Sequence, residues 1–409
     1  MHPIATKLNA LRDELNATYL ERSDAILAML LAVLSGQHVF LLGPPGTAKS
    51  DLVRAMVRTF MGARYFETLL SKTRPTEAVM GPLDVKRFRE TGDYVLKREH
   101  FASQVEFAFL DEIGKMSSIL GHDLLALLNE RLYHEVENGR SSHPAPLSTA
   151  FTASNEMVTA ESDDAAALWD RLLFRVVVDY LQDTDNFRQL LVGDMKAPET
   201  EIEWMELKDV IDDVVPAVKI DERALQALAS LKAAFTREHL YPSDRRWRAS
   251  MRALQAHAFL DGRDEVLEDD LVVLRFTLWD TVEQIDKVSR LCLSAANPFV
   301  EPLLEIRDAI KQVDDGITER TGPDASGNDQ TDARQAYGKE ANRKLADARN
   351  RLDTMLMEAD GRRIPQFKEV SDLHRRTLKR AFMVCLEQPE AEAEIMLQKR
   401  LGMGDGGQR

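Results

Sequence analysis

The sequence predicts an α/β nucleotide-binding core with a parallel sheet, followed by an all-helical lid and a C-terminal three-helix bundle. Three observations carry that expectation. A glycine-rich turn, Gly43-Pro44-Pro45-Gly46-Thr47-Ala48-Lys49-Ser50, joins an apolar run to an amphipathic segment. A second apolar run, beginning at Val105, ends in the adjacent carboxylates Asp111 and Glu112. Beyond Trp279 the composition changes to long charged segments that are apolar along one stripe.

The 409 residues are enough for two or three domains, and 44% apolar with 30% charged residues fits a soluble globular chain. No run approaches the ~20 apolar residues that cross a bilayer, and no basic, then apolar, leader opens the sequence. Cys292 and Cys385 are too few for a disulfide framework or a zinc site, which points to the cytoplasm. The net charge of −15 lacks the basic stripe of a duplex binder, so nucleic acid is disfavoured as the main substrate.

Taken in order, residues 4–34 read as one or two helices, with Leu8, Leu11 and Leu15 at helical spacing. The turn Tyr19-Leu20-Glu21-Arg22-Ser23 interrupts them, with Ser23 as the expected N-cap of the next helix. This turn is either one wall of an adenine pocket or a simple helix–helix connection.

His38 to Leu42 reads as a buried strand that delivers the chain into the glycine-rich turn. The backbone N–H groups of such a P-loop cradle phosphate oxygens, helped by the positive end of the following helix. Lys49 supplies charge for the β/γ-phosphates, and the Ser50 hydroxyl suits Mg²⁺. Ala48 replaces the glycine usual before the lysine, and alanine is expected there only with negative φ.

Arg64 to Leu69 reads as a second strand, and Gly92 to Lys97 as part of a small hairpin. The strand ending in Asp111 and Glu112 has the form of a Walker B strand, Asp111 serving the metal shell and Glu112 polarising the attacking water. A helix over Ser118 to Tyr133 follows, its end at Asn129-Glu130-Arg131 turned toward a neighbouring subunit. A hairpin comes next over 133–148, with Asn138-Gly139 as its turn.

Phe151 to Asn155 reads as a strand whose last residue either orients water opposite the γ-phosphate or simply caps a turn. The segment Ala167 to Arg175 reads as helical, placing Arg171 and Arg175 on one face, where surface ion pairing is the ordinary alternative. A strand over Val176 to Tyr180 follows.

Residues 185–280 read as helical, with Asp221 and Ser243 as N-caps. Arg245, Arg246 and Arg248 at a helix start either reach a phosphate or form a solvated face. Two long helices over 281–320 and 331–360 and a third near 365–387 complete a bundle. Leu345, Ala348, Leu352, Met355 and Leu356 form one stripe of it. The divisions expected are 1–183 (core), 184–285 (lid), 286–400 (bundle, with a flexible connector at 321–330) and 401–409 (disordered tail).

Together these segments resemble the MoxR family of AAA+ ATPases, and within it the RavA branch. The likeness covers about residues 1–285. It rests on Glu21-Arg22-Ser23, the P-loop with its Ala48-Lys49-Ser50, Leu110-Asp111-Glu112-Ile113, Ala153-Ser154-Asn155-Glu156, Leu168-Trp169-Asp170-Arg171 and Ser243-Asp244-Arg245-Arg246-Trp247. The resemblance implies an AAA+ core binding ATP or ADP with Mg²⁺, Leu20 lining the adenine site, and Asn155 as sensor 1. It also implies Arg171 as the arginine finger and Arg245 as sensor 2, with Arg175 and Arg246 as reserve candidates for those two roles. The hairpin before Asn155 resembles the pre-sensor-1 insertion of the helix-2-insert clade. RavA-like proteins carry a β-rich insertion where this chain has only the connector 321–330.

Family members act as hexameric rings beside a von Willebrand factor A protein with a metal-ion-dependent adhesion site. The expected function is therefore ATP-driven, chaperone-like remodelling of a partner protein. A metal-chelatase-type motor, a DNA-linked motor and a nucleotide-gated scaffold are the alternatives.

Overall fold

A computed structural model describes the chain except residues 138–139, 158–162, 194–195, 298, 321–330, 360–366, 387, 390–391, 394–395 and 397–409. The chain divides into two compact units, Met1–Ala296 and Asn297–Arg409.

In the first unit the longer strands are β1 (Val39–Leu42), β2 (Tyr65–Leu69), β3 (Phe107–Asp111), β4 (Leu132–Glu137), β5 (Arg140–Pro144), β6 (Thr149–Ser154) and β7 (Phe174–Val177). Five of them form one sheet in the order β2-β3-β6-β1-β7, every neighbouring pair parallel. Side chains alternate across each strand. Val39 and Leu41, Phe107 and Phe109, and Phe151 and Ala153 enter one apolar cluster. Phe40, Leu42, Ala108, Leu110 and Ala150 enter a second cluster. A parallel sheet covered on both faces needs such continuous apolar runs.

The strand order sets the position of the site. β6 lies between β1 and β3, so the P-loop, Asp111-Glu112 and Asn155 leave the sheet at one edge. Ligands of open α/β sheets bind in the crevice outside these carboxyl ends.

Helices α1 (Pro3–Thr18), α2 (Ser23–Ser35), α3 (Lys49–Val57), α4 (Ser118–Leu125) and α5 (Asp163–Arg171) belong to the sheet region. The segments that follow are α6 (Thr184–Val192), α7 (Glu222–Arg237), α8 (Asp244–Leu260) and α9 (Ile285–Ala296), with a 3₁₀ segment over Glu268–Phe276. Asp221 and Ser243 cap α7 and α8 as expected, accepting from the N–H groups of Arg223 and Arg246. Val288, Cys292 and Ala296 of α9 join the core of this unit. The division therefore falls at Ala296, beyond the boundary at 285 read from the sequence.

Several local expectations are corrected. Ser23 lies inside α2 and the N-cap is Arg22, without a side-chain cap bond, because the chain has already turned at Glu21 with φ +56°. In place of the hairpin near Gly92 there is an isolated antiparallel bridge, Leu83 to Leu96, around a short helix at Val85–Thr91. The helix expected to reach Tyr133 ends in a π turn, Ala126–Glu130. Arg131 then points inward, donating to the carbonyls of Leu128, Gly36 and Ser148.

The hairpin β4–β5 forms, its Asn138-Gly139 turn lying outside the described residues. α5 stops at Arg171 and Arg175 belongs to β7, so the two arginines share no helical face. The strand expected over Val176 to Tyr180 is β7, which starts at Phe174. The segment expected to be helical over 185–280 also carries two-residue strands, Ile202–Glu203 paired in parallel with Phe60–Met61 and Lys219–Ile220 with Glu265–Val266.

In the second unit, α10 (Val300–Glu319), α11 (Thr331–Glu358) and α12 (Phe367–Arg380) form the expected bundle. The helix predicted over 281–320 is thus two, α9 and α10, separated near Asn297. Leu303, Ile306 and Ile310 meet Leu345, Leu352 and Met355 of α11 and Val370, Leu378 and Phe382. Leu356, read into the stripe, is instead 53% exposed. These stripes bury one another in one cluster, and truncating a buried leucine like Leu352 costs about 2–5 kcal/mol. The connector 321–330 and the tail 401–409 lie outside the described residues.

Candidate active site

β1 delivers the chain into a tight turn. A Cβ on Gly43 would meet the Val178 carbonyl oxygen at 1.9 Å, and the Gly43 N–H donates to the Ser154 carbonyl at 3.0 Å. Gly46 has φ +82°. Ala48 has φ +62°, contrary to the negative φ expected for alanine there. A left-handed residue beside a helical one points successive N–H groups into one concavity, which is the geometry an anion cradle needs. The cost of placing a Cβ in that region is about 1–2 kcal/mol.

Lys49 opens α3 and is buried. Its Nζ donates to the carbonyls of Gly43 (2.7 Å) and Pro44 (2.8 Å) and to Thr47 Oγ1 (3.2 Å). Burial pushes its ammonium below the usual lysine range; Asp111 and Glu112 pull the other way, and Arg22 adds to the depression. The lysine and both acids therefore share one electrostatic neighbourhood.

Asp111 ends β3 and its Oδ1 accepts from the Glu112 N–H at 2.9 Å. Burial raises its carboxyl above the usual range, the nearby Glu112 charge adds to this, and Lys49 opposes it. Glu112 stands at φ +55°. Its Oε2 is buried without an aligned hydrogen bond, although Lys115 Nζ lies 3.3 Å away. Ser50 is half-buried in the first turn of α3, and Asn155 is exposed directly after β6.

A cavity of about 240 Å³ adjoins the P-loop. Leu20, Arg22, Ala48, Tyr180, Phe187 and Leu190 are among its lining residues. Arg22 Nε donates to the Thr47 carbonyl at 3.4 Å, and the Tyr180 hydroxyl to the Pro45 carbonyl at 3.3 Å. On the other side of this turn, the Tyr19 hydroxyl donates to Asp51 Oδ2 at 2.9 Å.

The arginines fall into two groups. Arg171 is half-buried, Nη1 donates to the Ala167 carbonyl, and Nε is buried with no acceptor. Burial and then the charge of Arg245 lower its guanidinium from the ordinary arginine range. Arg245 is 53% exposed and lies 3.9 Å from Asp170 Oδ2. Asp170 Oδ1 accepts from Ser243 Oγ at 2.7 Å, joining α5 to the start of α8.

Arg175 and Arg246, the reserve candidates, are fully buried. Arg175 donates to the carbonyls of Leu172, Trp169 and Trp279 and to Asp280. Arg246 donates to the carbonyls of Thr277, Leu172 and Leu173. Their donors are engaged within the fold, on backbone carbonyls and, for Arg175, on Asp280 as well.

The donor chemistry fits a nucleotide with a divalent cation. A hydroxyl and a carboxylate, Ser50 and Asp111, are the hard oxygen ligands that Mg²⁺ takes alongside phosphates and water. The amide cradle and Lys49 match a polyphosphate. The sequence places Arg22 and Asp170 inside family motifs without giving either a role of its own, and it gives no site role to Tyr180, Phe187 and Leu190. These three follow the sheet in a segment that reads simply as strand end and helix.

A family model for the MoxR domain of MoxR–von Willebrand factor A–β-propeller ternary systems matches residues 6–214, and an AAA lid model matches 223–292. Two uncharacterized proteins of Methanocaldococcus jannaschii are similar. One is 35% identical over 315 residues, 76% of this chain and 80% of that protein. The other is 33% identical over 305 residues, 74% and 79% respectively. A structural protein of Acidianus two-tailed virus is 25% identical over 237 residues, 56% of this chain and 38% of its own length.

The fold is also that of a candidate ATPase from Cytophaga hutchinsonii, with TM-score 0.55, 17% identity, and coverage of 72% of this chain and 95% of that one. A match running from α1 through the sheet and on into the lid accounts for the P-loop and paired acids in one frame: the chain belongs to the MoxR family of AAA+ ATPases.

Proposed function

We propose that the chain hydrolyses ATP with Mg²⁺ as a homo-oligomeric ring, six subunits by family likeness. The hydrolysis drives chaperone-like remodelling or activation of partner proteins, beside a von Willebrand factor A domain partner. The observation that carries the reading is the gathering of Lys49, Asp111 and Glu112 at one sheet edge, next to a cavity walled by Leu20.

Bound Mg²⁺ supplies charge neutralisation for the β- and γ-phosphates. Ser50 and Asp111 hold it, and the P-loop amides from Gly43 to Ser50 with the Lys49 ammonium hold the phosphates. Glu112 takes the proton of the attacking water, and Asn155 orients that water.

Arg171 and Arg245 stand together around Asp170, whereas the charges acting on Lys49 are Asp111, Glu112 and Arg22. That separation supports Arg171 as a finger entering the site of an adjacent subunit, with Arg245 beside it as the lid's sensor. Catalysis then depends on assembly. The von Willebrand partner rests on the family model that the chain matches. Among the described residues no helix is long and apolar enough to cross a membrane. Cys292 and Cys385 are buried free thiols, which suits the cytoplasm.

The test is ATP turnover against protein concentration, with size measured in parallel by light scattering. Turnover per subunit should rise as the assembly forms. Turnover that is independent of assembly would remove the ring from this reading, and no turnover at any concentration would remove the ATPase. Capture with a Glu112→Gln variant held in ATP should recover a von Willebrand factor A protein; recovery of a tetrapyrrole-linked protein or of DNA would favour the other motors.

A further inference from the structure

α6 is a nine-residue helix without a single buried residue. Phe187 and Leu190, each 50% exposed, line the cavity beside the P-loop. Apolar burial therefore does not fix this helix, yet it forms the wall facing Leu20. What holds it is polar. Glu21 Oε2 accepts from the Gln182 N–H at 2.8 Å, while Oε1 accepts from the Asp183 N–H and from Asn186 Nδ2, both at 3.0 Å. These hydrogen bonds hold the Glu21 carboxyl below the usual glutamate range.

The backbone around Glu21 is arranged for this. Glu21 has φ +56°, a left-handed conformation uncommon for a residue with a Cβ. The flanking residues face the nucleotide side: Leu20 lines the cavity, and Arg22 reaches the Thr47 carbonyl of the P-loop. Three successive residues thus supply a wall, a clamp and a loop contact. The far wall is also tied to the P-loop, through the Tyr180 hydroxyl and the Pro45 carbonyl.

We propose that Glu21 is a positioning residue for the nucleotide base. Its carboxylate clamps the start of α6, so that Phe187 and Leu190 close an apolar slot opposite Leu20 for a planar purine ring. A flat aromatic ligand between an aromatic ring and aliphatic side chains is bound by stacking and burial. The phosphates are held by other residues, so the clamp acts on base affinity alone. This inference rests on the ATP-binding reading above.

The test uses the full chain and displacement of a fluorescent ATP analogue by ATP and by inorganic tripolyphosphate, both with Mg²⁺. Glu21→Gly is the sharpest variant, because glycine accepts φ +56° and removes only the clamp. ATP affinity should fall by about tenfold, the scale of a lost charge-assisted hydrogen-bond cluster. Tripolyphosphate affinity should stay within about twofold, well under one tenfold step. KM for ATP should rise while kcat holds. Glu21→Gln should lie between, since its amide oxygen can still accept from Asp183 and Asn186 while its NH₂ meets the Gln182 N–H. Asn186→Ala should move in the same direction, less far.

Unchanged ATP affinity in Glu21→Gly overturns the clamp. Equal loss of ATP and tripolyphosphate overturns it too, since the P-loop itself would then depend on Glu21. So does a variant that keeps its ATP affinity but fails to assemble, which would make α6 a subunit contact. If the wild-type chain binds ATP no more tightly than tripolyphosphate, the ATP-binding reading itself has failed.

Discussion

Two pairs of arginines, close in sequence, behave in opposite ways. Arg171 is half-buried and Arg245 exposed, both beside Asp170. Arg175 and Arg246 are 0% and 1% exposed, with their donors on backbone carbonyls and, for Arg175, on Asp280 as well. The lesson is one of capacity. An arginine whose donors are engaged inside the fold holds backbone in place, and an arginine with a donor to spare can hold a ligand. Arg246 also grips the carbonyls of Leu172 and Leu173, directly after Arg171. The buried pair thereby anchors the lid to the chain that follows Arg171.

The strongest way to break this contrast is Arg171→Ala. A finger supplied in trans is worth ~10³–10⁵ in kcat in other NTPases, so hydrolysis should fall by about that factor. Assembly and ATP binding should persist. Mixing Arg171→Ala with Lys49→Ala subunits should restore turnover, because one supplies the intact site and the other the finger. Mixed rings as inactive as either parent would place Arg171 in its own subunit's site.

Glu112→Gln should act next most strongly, lowering kcat by about 10²–10⁴, the range for a positioned general base. It should keep ATP bound and should not be rescued by mixing with Lys49→Ala subunits, since both defects lie in the site itself. Single-turnover measurement with radiolabelled ATP separates Glu112→Gln from Arg171→Ala. If mixing with Lys49→Ala subunits rescues Glu112→Gln, Glu112 does not act in its own subunit's site.

The core was legible because its signals are backbone signals. A tight turn after an apolar strand and paired acids after another constrain neighbouring residues, so Gly43–Ser50 and Asp111-Glu112 could be located from spacing alone. Ala48 shows where that stops: the reading required negative φ, and the turn took positive φ. The arginines show a second limit. Arg171 or Arg175, and Arg245 or Arg246, are equivalent by residue type. What separates them is a burial set by contacts up to 105 positions apart, as between Arg175 and Asp280. Glu21 was read as part of a motif, but its partners at 182, 183 and 186 lie beyond any local pattern.

Stability sharpens the contrast from the other side. Arg246→Ala leaves the carbonyls of Thr277, Leu172 and Leu173 without their donor, and each buried unsatisfied group costs about 1–3 kcal/mol. Chemical denaturation should show a loss in or above that range. Arg245→Ala, at the next residue and exposed, should stay within about 0.5 kcal/mol. Equal losses would mean that burial does not separate the two.

The smallest effect tests the same rule with a group that can lose its charge. His38 precedes β1 and is 2% exposed. Its Nδ1 accepts from the Ala150 N–H at 2.9 Å, and Nε2 faces the Leu128 carbonyl at 2.8 Å. A second proton would have to sit on Nδ1, against that N–H. Burial, and then the charge of Arg131, hold the imidazole well below the usual histidine range. The folded pKa is therefore depressed below the unfolded value of about 6.5.

Above that pH both states are neutral at this position. Below it the unfolded chain takes up a proton that the folded chain refuses, so stability falls as pH falls. The slope from one such group is at most about 1.4 kcal/mol per pH unit. His374, also buried and shifted the same way, adds its own share in the second unit. Between pH 7 and 5 the wild-type chain should lose stability, and His38→Gln should lose measurably less over the same interval, whatever its starting stability. An unchanged slope in that variant would mean that His38 is protonated inside the fold, and that a buried basic group here need not be committed to the backbone around it.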